Sequence, residues 1–167
     1  MKSMIQIFKR AFPQAFLKIK SLLGRLYLDE INRMIFDEFD GRVADGPFFG
    51  MRYIEKSNGS SLSPKILGSY EKELHTVLRT VLRTPYEAIL DIGAAEGYYA
   101  VGFALKHVNA HVFAYDIDPD ARANLSELSS LNAVANRVTI GSECNAEILE
   151  CFAAKRCLVF CDIGGFE

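Results

Sequence analysis

Three aspartates stand where apolar runs end, and each could do chemistry there. Ala88-Ile89-Leu90 runs into Asp91, His111-Val112-Phe113-Ala114-Tyr115 into Asp116, and Leu158-Val159-Phe160-Cys161 into Asp162. A carboxylate in such a place can accept hydrogen bonds from hydroxyl groups, hold a cation or take up a proton. The first run continues through Gly93-Ala94-Ala95-Glu96-Gly97 and turns helical without a break. A small-residue turn between a strand and a helix lets backbone approach a ligand closely. Asp116 follows Gly97 by nineteen residues. An acidic side chain at that spacing, ending the neighbouring strand, is placed to accept hydrogen bonds from ribose hydroxyls. The turn and Asp116 together are more specific than either alone.

Several other chemistries fit less well. A dinucleotide fingerprint would have glycines at 93, 95 and 98, and this chain has Gly93, Ala95 and Tyr98. No Gly-Lys-Ser/Thr follows, so a phosphate-cradling loop is unsupported. Asp116-Ile117-Asp118 resembles the paired acids of a haloacid-dehalogenase-type phosphotransferase, a less favoured alternative. Asp118 precedes Pro119 and a helical pattern, however, and reads most simply as a helix cap. A calcium loop built on Asp116, Asp118 and Asp120 lacks its glycine. The cysteines, Cys144, Cys151, Cys157 and Cys161, form no CxxC pair and have no histidine nearby. No metal site is expected, and the thiols are read as reduced and mostly buried.

The elements that must position these residues follow from periodicity. From Ala88 onward strands and helices alternate: strands at 88–92, 111–115, 138–140 and 158–161, helices at 97–107, 119–131 and roughly 145–154. This rhythm implies parallel pairing with right-handed crossovers, and the all-apolar strands imply a sheet covered on both faces. Upstream, Tyr70, Leu74, Val77, Leu78, Val81 and Leu82 make one helical stripe, with Ser69 as cap and Pro85 as stop. Residues 41–68 are rich in Gly, Pro, Ser and Asn and read as loop with one short strand at 51–54. Residues 4–39 carry apolar groups at helical spacing, divided by Pro13 into a short helix and a long one. The expected organisation is therefore a basic amphipathic helical arm (1–40), a loop-rich connector (41–68) and a partial Rossmann-like α/β domain (69–167).

The chain has 167 residues, half of them hydrophobic, and a net charge of −2. That composition reads as globular and gives no general attraction to nucleic acid. Lys2, Lys9, Arg10, Lys18, Lys20 and Arg25 fall before Leu28 with no acidic residue among them. This basic, Phe/Ile/Leu-rich arm suits an anionic membrane surface or a partner helix. Without a signal core or an apolar run long enough to span a bilayer, the expected location is cytoplasmic, with peripheral membrane contact through the arm.

The chemistry-bearing segments resemble the class I S-adenosylmethionine-dependent methyltransferases. "LDIGAAEG" looks like their first motif, Asp-x-Gly-x-Gly-x-Gly, with Ala95 in place of the middle glycine. "VFAYDID" resembles the second-strand motif, "NRVTIGSECNAEIL" the third-strand segment, and "LVFCDIGGFE" the fourth-strand motif of the FkbM-like branch, with Gly164 where a glutamate is usual. The resemblance implies that Asp91, Gly93, Ala94, Ala95, Glu96, Gly97 and Tyr98 surround the methionine part of S-adenosylmethionine. Asp116 and Ile117 fall at the ribose and Glu143 and Cys144 at the adenine. Tyr70 and Glu71 lie over the cofactor by a looser match. Asp162 orients or deprotonates an acceptor, and the FkbM-like branch implies O-methylation of a small-molecule or glycan hydroxyl. The family's sheet has seven strands, whereas this chain ends just after the fourth. The expectation is a truncated sheet of order 3-2-1-4 with an exposed edge that favours self-association, a largely missing acceptor half, and an incomplete or inactive enzyme. The alternative is a non-catalytic interaction module acting through the arm.

Overall fold

The four strands form where the apolar runs predict them. The computed structural model describes residues 13–163, and β1 (Ala88–Ile92) lies at the centre of its sheet with Ala88, Ile89, Leu90 and Asp91 all buried. On one side β1 pairs with β2 (His111–Tyr115), which pairs in turn with β3 (Val138–Gly141). On the other side it pairs with β4 (Cys157–Cys161). Every pairing is parallel, giving the order β3-β2-β1-β4. The architecture is therefore α/β and Rossmann-like. Register then places the chemistry. Ile92 is level with Tyr115 and with Cys161, so the next residues, Gly93, Asp116 and Asp162, leave the sheet side by side at its carboxyl end.

Helix α4 (Tyr98–Lys106) follows the glycine turn, and its residues from Tyr98 through Ala104 are all buried. A helix apolar all round must be covered all round. The sheet covers one side. The segment at 43–54 covers another through Val43, Phe48, Met51, Tyr53 and Ile54, which share one core with the strands. Phe48, 1% exposed, packs edge-on against Phe103 at 5.7 Å between ring centroids. A side chain of that size contributes on the order of 2 kcal/mol by burial. Gly102 makes room for it, since a Cβ there would lie 2.5 Å from the ring. Helix α5 (Pro119–Leu131) begins with Pro119 in its first turn, and the Asp118 carboxylate accepts a hydrogen bond from the Asp120 amide at 2.9 Å. Asp118 is thus the expected cap.

Other expectations need correction. The segment at 51–54 forms no strand: only an isolated antiparallel bridge joins Arg42 to Arg52. Ser69 caps nothing. A short helix, α2 (Leu62–Leu67), precedes it and ends at Gly68 in the left-handed conformation. The chain then passes through Glu71, itself left-handed at φ 44°, and a 3₁₀ turn (Lys72–Leu74) before α3 (His75–Val81). The apolar stripe is real, since Tyr70, Leu74, Leu78, Val81 and Leu82 all reach the core, but two helical pieces carry it. Helix α6 (Ala146–Glu150) is shorter than expected. The cysteines are not mostly buried: Cys151 and Cys161 are exposed, and Cys144 and Cys157 half-buried.

The long helix α1 (Pro13–Glu38) begins at the predicted proline. The short helix expected before it lies outside the described residues, as does the Gly164–Glu167 end of the fourth-strand motif. The carboxyl half of α1 meets the domain, through Ile35 and Phe36 against the core and the Asn32 side chain, which accepts from the Ser63 amide and hydroxyl.

Candidate functional site

The glycine turn is fixed from all sides. The amides of Gly93 and Ala94 donate to the Tyr115 carbonyl at 2.8 and 2.9 Å. The Ala95 amide donates to Asp116 Oδ2 at 2.7 Å, and the Asp118 amide to Asp116 Oδ1 at 2.8 Å. Asp116 therefore ties the end of β2 to the turn, each carboxylate oxygen accepting one backbone hydrogen bond. Ala95 adopts φ 47°, in the left-handed region that ordinarily favours glycine. Gly93, at φ 83°, touches the fourth strand: a Cβ there would lie 1.9 Å from the Asp162 carbonyl oxygen. Gly97 meets Leu125 of α5 in the same way, at 2.1 Å.

Above the turn opens a cavity of about 510 Å³. Its floor is formed by Gly93, Ala94, Ala95, Glu96 and Tyr98, one wall by Asp116 and Ile117, and another by Glu143 and Cys144. Asp162 and Phe160 close the β4 side, and Tyr70 stands opposite. The structure thus brings together residues as far apart in sequence as Tyr70 and Asp162. Ile117 is 84% exposed, an apolar side chain left bare beside the cavity. Three expected site residues stand elsewhere. Gly97 packs under α5, Glu71 is held by the Tyr99 hydroxyl, and Asp91 lies beneath the turn.

Asp91 is 1% exposed. Burial pushes its carboxyl up to about 7, against the Ala100 amide that donates to it, and the charges of Asp116 and Asp162 push it further. Its Oδ2 has no partner among the described residues. The buried Tyr98 hydroxyl, on the cavity wall, has none either. Polar groups buried this deeply are normally satisfied. Burial raises the pKa of Tyr98 and of Tyr99, and that of Tyr70 to about 12, so all three remain neutral hydroxyls.

Sequence reasoning missed the connector's part in the site. Asn58, Gly59, Ser60 and Lys65 line the cavity too. The Glu96 carboxylate, 0% exposed, pairs with the Lys65 ammonium and accepts from the Tyr53 hydroxyl at 2.6 Å, the Ser57 hydroxyl at 2.9 Å and the Asn58 amide at 2.9 Å. Burial alone would raise the Glu96 carboxyl, but Lys65 and these donors hold it below its usual range. Lys65 and Glu96 lie thirty-one residues apart, and neither helical nor strand spacing links them. No metal-holding group of His, Cys, Asp and Glu occurs among the described residues.

No protein-family model matches this chain, and no curated protein matches it. Solved structures do. An RNA methyltransferase from Salinibacter ruber in complex with S-adenosyl-L-homocysteine is 23% identical over 34% of this chain and 37% of its own, with a TM-score of 0.33. The C-terminal domain of precorrin-6Y C5,15-methyltransferase from Rhodobacter capsulatus is 16% identical over 52% and 45%, with a TM-score of 0.41. Coclaurine N-methyltransferase bound to N-methylheliamine and SAH is 14% identical over 83% and 43%, with a TM-score of 0.39. The chain spans less than half the length of each of these structures.

Proposed function

We propose that the cavity binds S-adenosylmethionine and that the chain carries the cofactor half of a methyltransferase. The observation that carries this reading is electrostatic. Asp91, Asp116 and Asp162 converge at the carboxyl ends of β1, β2 and β4, and Lys65, the one Lys or Arg among the described residues that line the cavity, is neutralised by Glu96. Such a cavity repels phosphates, which argues against a nucleotide or dinucleotide, and attracts a cationic nucleoside. The unpartnered Tyr98 hydroxyl on the cavity lining is a ready acceptor for an ammonium group, and Asp91, buried beneath the turn, acts on that group through its charge. Both Asp116 oxygens have lone pairs left for ribose hydroxyls, and bare Ile117 offers a face for a base.

S-adenosylmethionine supplies an activated methyl on a sulfonium, so the protein's task is alignment. The Gly93–Gly97 turn holds the methionine part, Asp116 the ribose, and Glu143 with Cys144 the adenine. The acceptor is a hydroxyl. As its oxygen gains the methyl it must lose a proton, and Asp162 takes it. Calorimetry of the full chain with S-adenosylmethionine tests the reading. Asp116→Ala is expected to weaken binding by about 10- to 100-fold, the effect of losing charge-assisted hydrogen bonds. Equal affinity in the two proteins would remove Asp116 from the site. Absence of binding to the unaltered chain would end the reading.

A second reading concerns α1, where a specific observation favours it. Leu17, Leu22, Leu23, Leu26, Tyr27 and Leu28 are each more than half exposed, beside the basic Lys18 and Arg25. An exposed apolar stretch of this kind marks an interaction surface, and its charge complements an anionic membrane. Among the described residues no helix is long and apolar enough to cross a membrane, so contact would be peripheral. The full chain is expected to co-sediment with anionic but not with neutral vesicles, and Leu22→Asn/Leu26→Asn to remain in solution. Equal retention on neither, with a dimer in analytical ultracentrifugation, would assign the surface to a second copy instead.

A further inference from the structure

We infer that the Lys65–Glu96 pair is a charge mask that sets the cavity's preference for a cationic over a neutral ligand; this rests on the S-adenosylmethionine reading above. Lys65 reaches the cavity from α2 and Glu96 from the floor of the turn, and both line it. The pair is almost wholly buried, with side-chain exposures of 3% and 0%. The groups around it are polar but neutral: the Tyr53 hydroxyl, the Ser57 hydroxyl, the Asn58 amide and, 4.9 Å from the Lys65 ammonium, the face of the Tyr70 ring. Glu71 adds a more distant negative charge. Within this shell each partner is the other's only close counterion. Removing one therefore exposes the cavity to an uncompensated charge, in a setting where charges act at short range and with little screening.

The two partners predict opposite results, which a purely structural role does not. Glu96→Gln leaves Lys65 without its counterion, so the ammonium that persists against the burial that already lowers its pKa faces the cavity alone. Lys65→Met leaves a bare carboxylate. S-adenosylmethionine and S-adenosylhomocysteine differ by the methyl and by the sulfonium's positive charge. The ratio of their dissociation constants therefore reports the cavity's charge, and general damage to the site cancels from it. Both ligands are titrated calorimetrically at pH 7 into the full chain, the two single variants and the double variant Lys65→Met/Glu96→Gln, with thermal melts alongside. Glu96→Gln is expected to shift the ratio about ten-fold or more toward S-adenosylhomocysteine, and Lys65→Met to shift it toward S-adenosylmethionine. The double variant is expected to return within about two-fold of the unaltered ratio. Where a single variant does not fold, the double variant still decides, because breaking a buried pair is far more damaging than replacing both partners. A double variant whose ratio departs ten-fold from that of the unaltered chain overturns the mask. So do two single variants that shift the ratio in the same direction or not at all. If the unaltered chain binds neither ligand, the cofactor reading fails and the mask with it; if it binds both and the ratios do not move, the mask alone fails.

Discussion

Asp91→Asn is expected to make the free protein more stable at pH 8 while abolishing its affinity for S-adenosylmethionine. Asp91 sits beneath the glycine turn with one carboxylate oxygen lacking a partner. Burial lifts its carboxyl from 3.8 to about 7. A group whose folded pKa is raised above its unfolded value lends its stability below the unfolded pKa and loses it as pH climbs through the folded one. The free fold therefore weakens between about pH 4 and pH 7, and above that range it carries the full burden of a buried charge, on the order of 4 kcal/mol. Asparagine is nearly isosteric and never ionises, so it removes that burden. Thermal melts of the two proteins should coincide near pH 4 and diverge up to about pH 7, with the variant the more stable. A difference independent of pH would sink the argument. The same carboxylate gains a counterion when a cationic ligand binds, so binding to the unaltered chain should release protons below pH 7 and tighten as pH rises toward it. On the proposed reading the burden on the free protein is what binding relieves, a trade of stability for function.

Much of this fold was legible in the sequence, and what escaped did so for definable reasons. The strands were readable because β1 is apolar on both faces and a buried parallel strand needs no alternation. Asp118 was readable as a cap because the Asp-Pro pair states both the missing amide and the fixed φ of a first turn. By contrast, the stripe from Tyr70 to Leu82 named five side chains that reach the core, but it wrongly included Val77, which is 60% exposed, and it hid the break in the backbone. Periodicity records which face is buried; it does not record a left-handed residue at Glu71 or a 3₁₀ turn between two short helices. Helix α2 was invisible because Ser-Ser-Leu-Ser-Pro has the composition of a loop, and it forms because Leu62 and Ile66 are buried and Gly68 ends it. The cysteine error came from treating residue type as position. Among the described residues β4 is an edge strand, so Val159, Cys161 and half of Cys157 remain open to solvent although thiols are usually buried. The Lys65–Glu96 pair has no sequence signature at all, because long-range ion pairs follow neither helical nor strand spacing.

Gly93→Ala is expected to be the most damaging single change in the turn. Two costs coincide there. At φ 83° a side chain is strained by roughly 1–2 kcal/mol. Its Cβ would also stand 1.9 Å from the Asp162 carbonyl oxygen and 3.1 Å from Ile163 Cγ2. The first obstacle is backbone, so it cannot rotate away. Relief requires the end of β4 to move, which breaks the hydrogen bond from the Asp162 amide to the Ile92 carbonyl, now 2.9 Å. Overpacking of this kind typically adds about 1–3 kcal/mol. Gly50→Ala separates the two effects. Gly50 has nearly the same φ, 84°, but a Cβ there meets nothing within 4 Å. Urea melts should show Gly50→Ala losing only the strain, and Gly93→Ala losing about twice as much or more. Equal losses would mean that β4 is free to shift, and that the close approach of Gly93 to Asp162 does not set the site. The functional effect should exceed the structural one, because the movement that relieves Gly93 displaces Asp162 from the side of the cavity where it faces Asp91 and Asp116. Gly93 is therefore the residue through which the glycine turn and the Asp162 carboxylate are held in one geometry, and only the absence of a Cβ permits it.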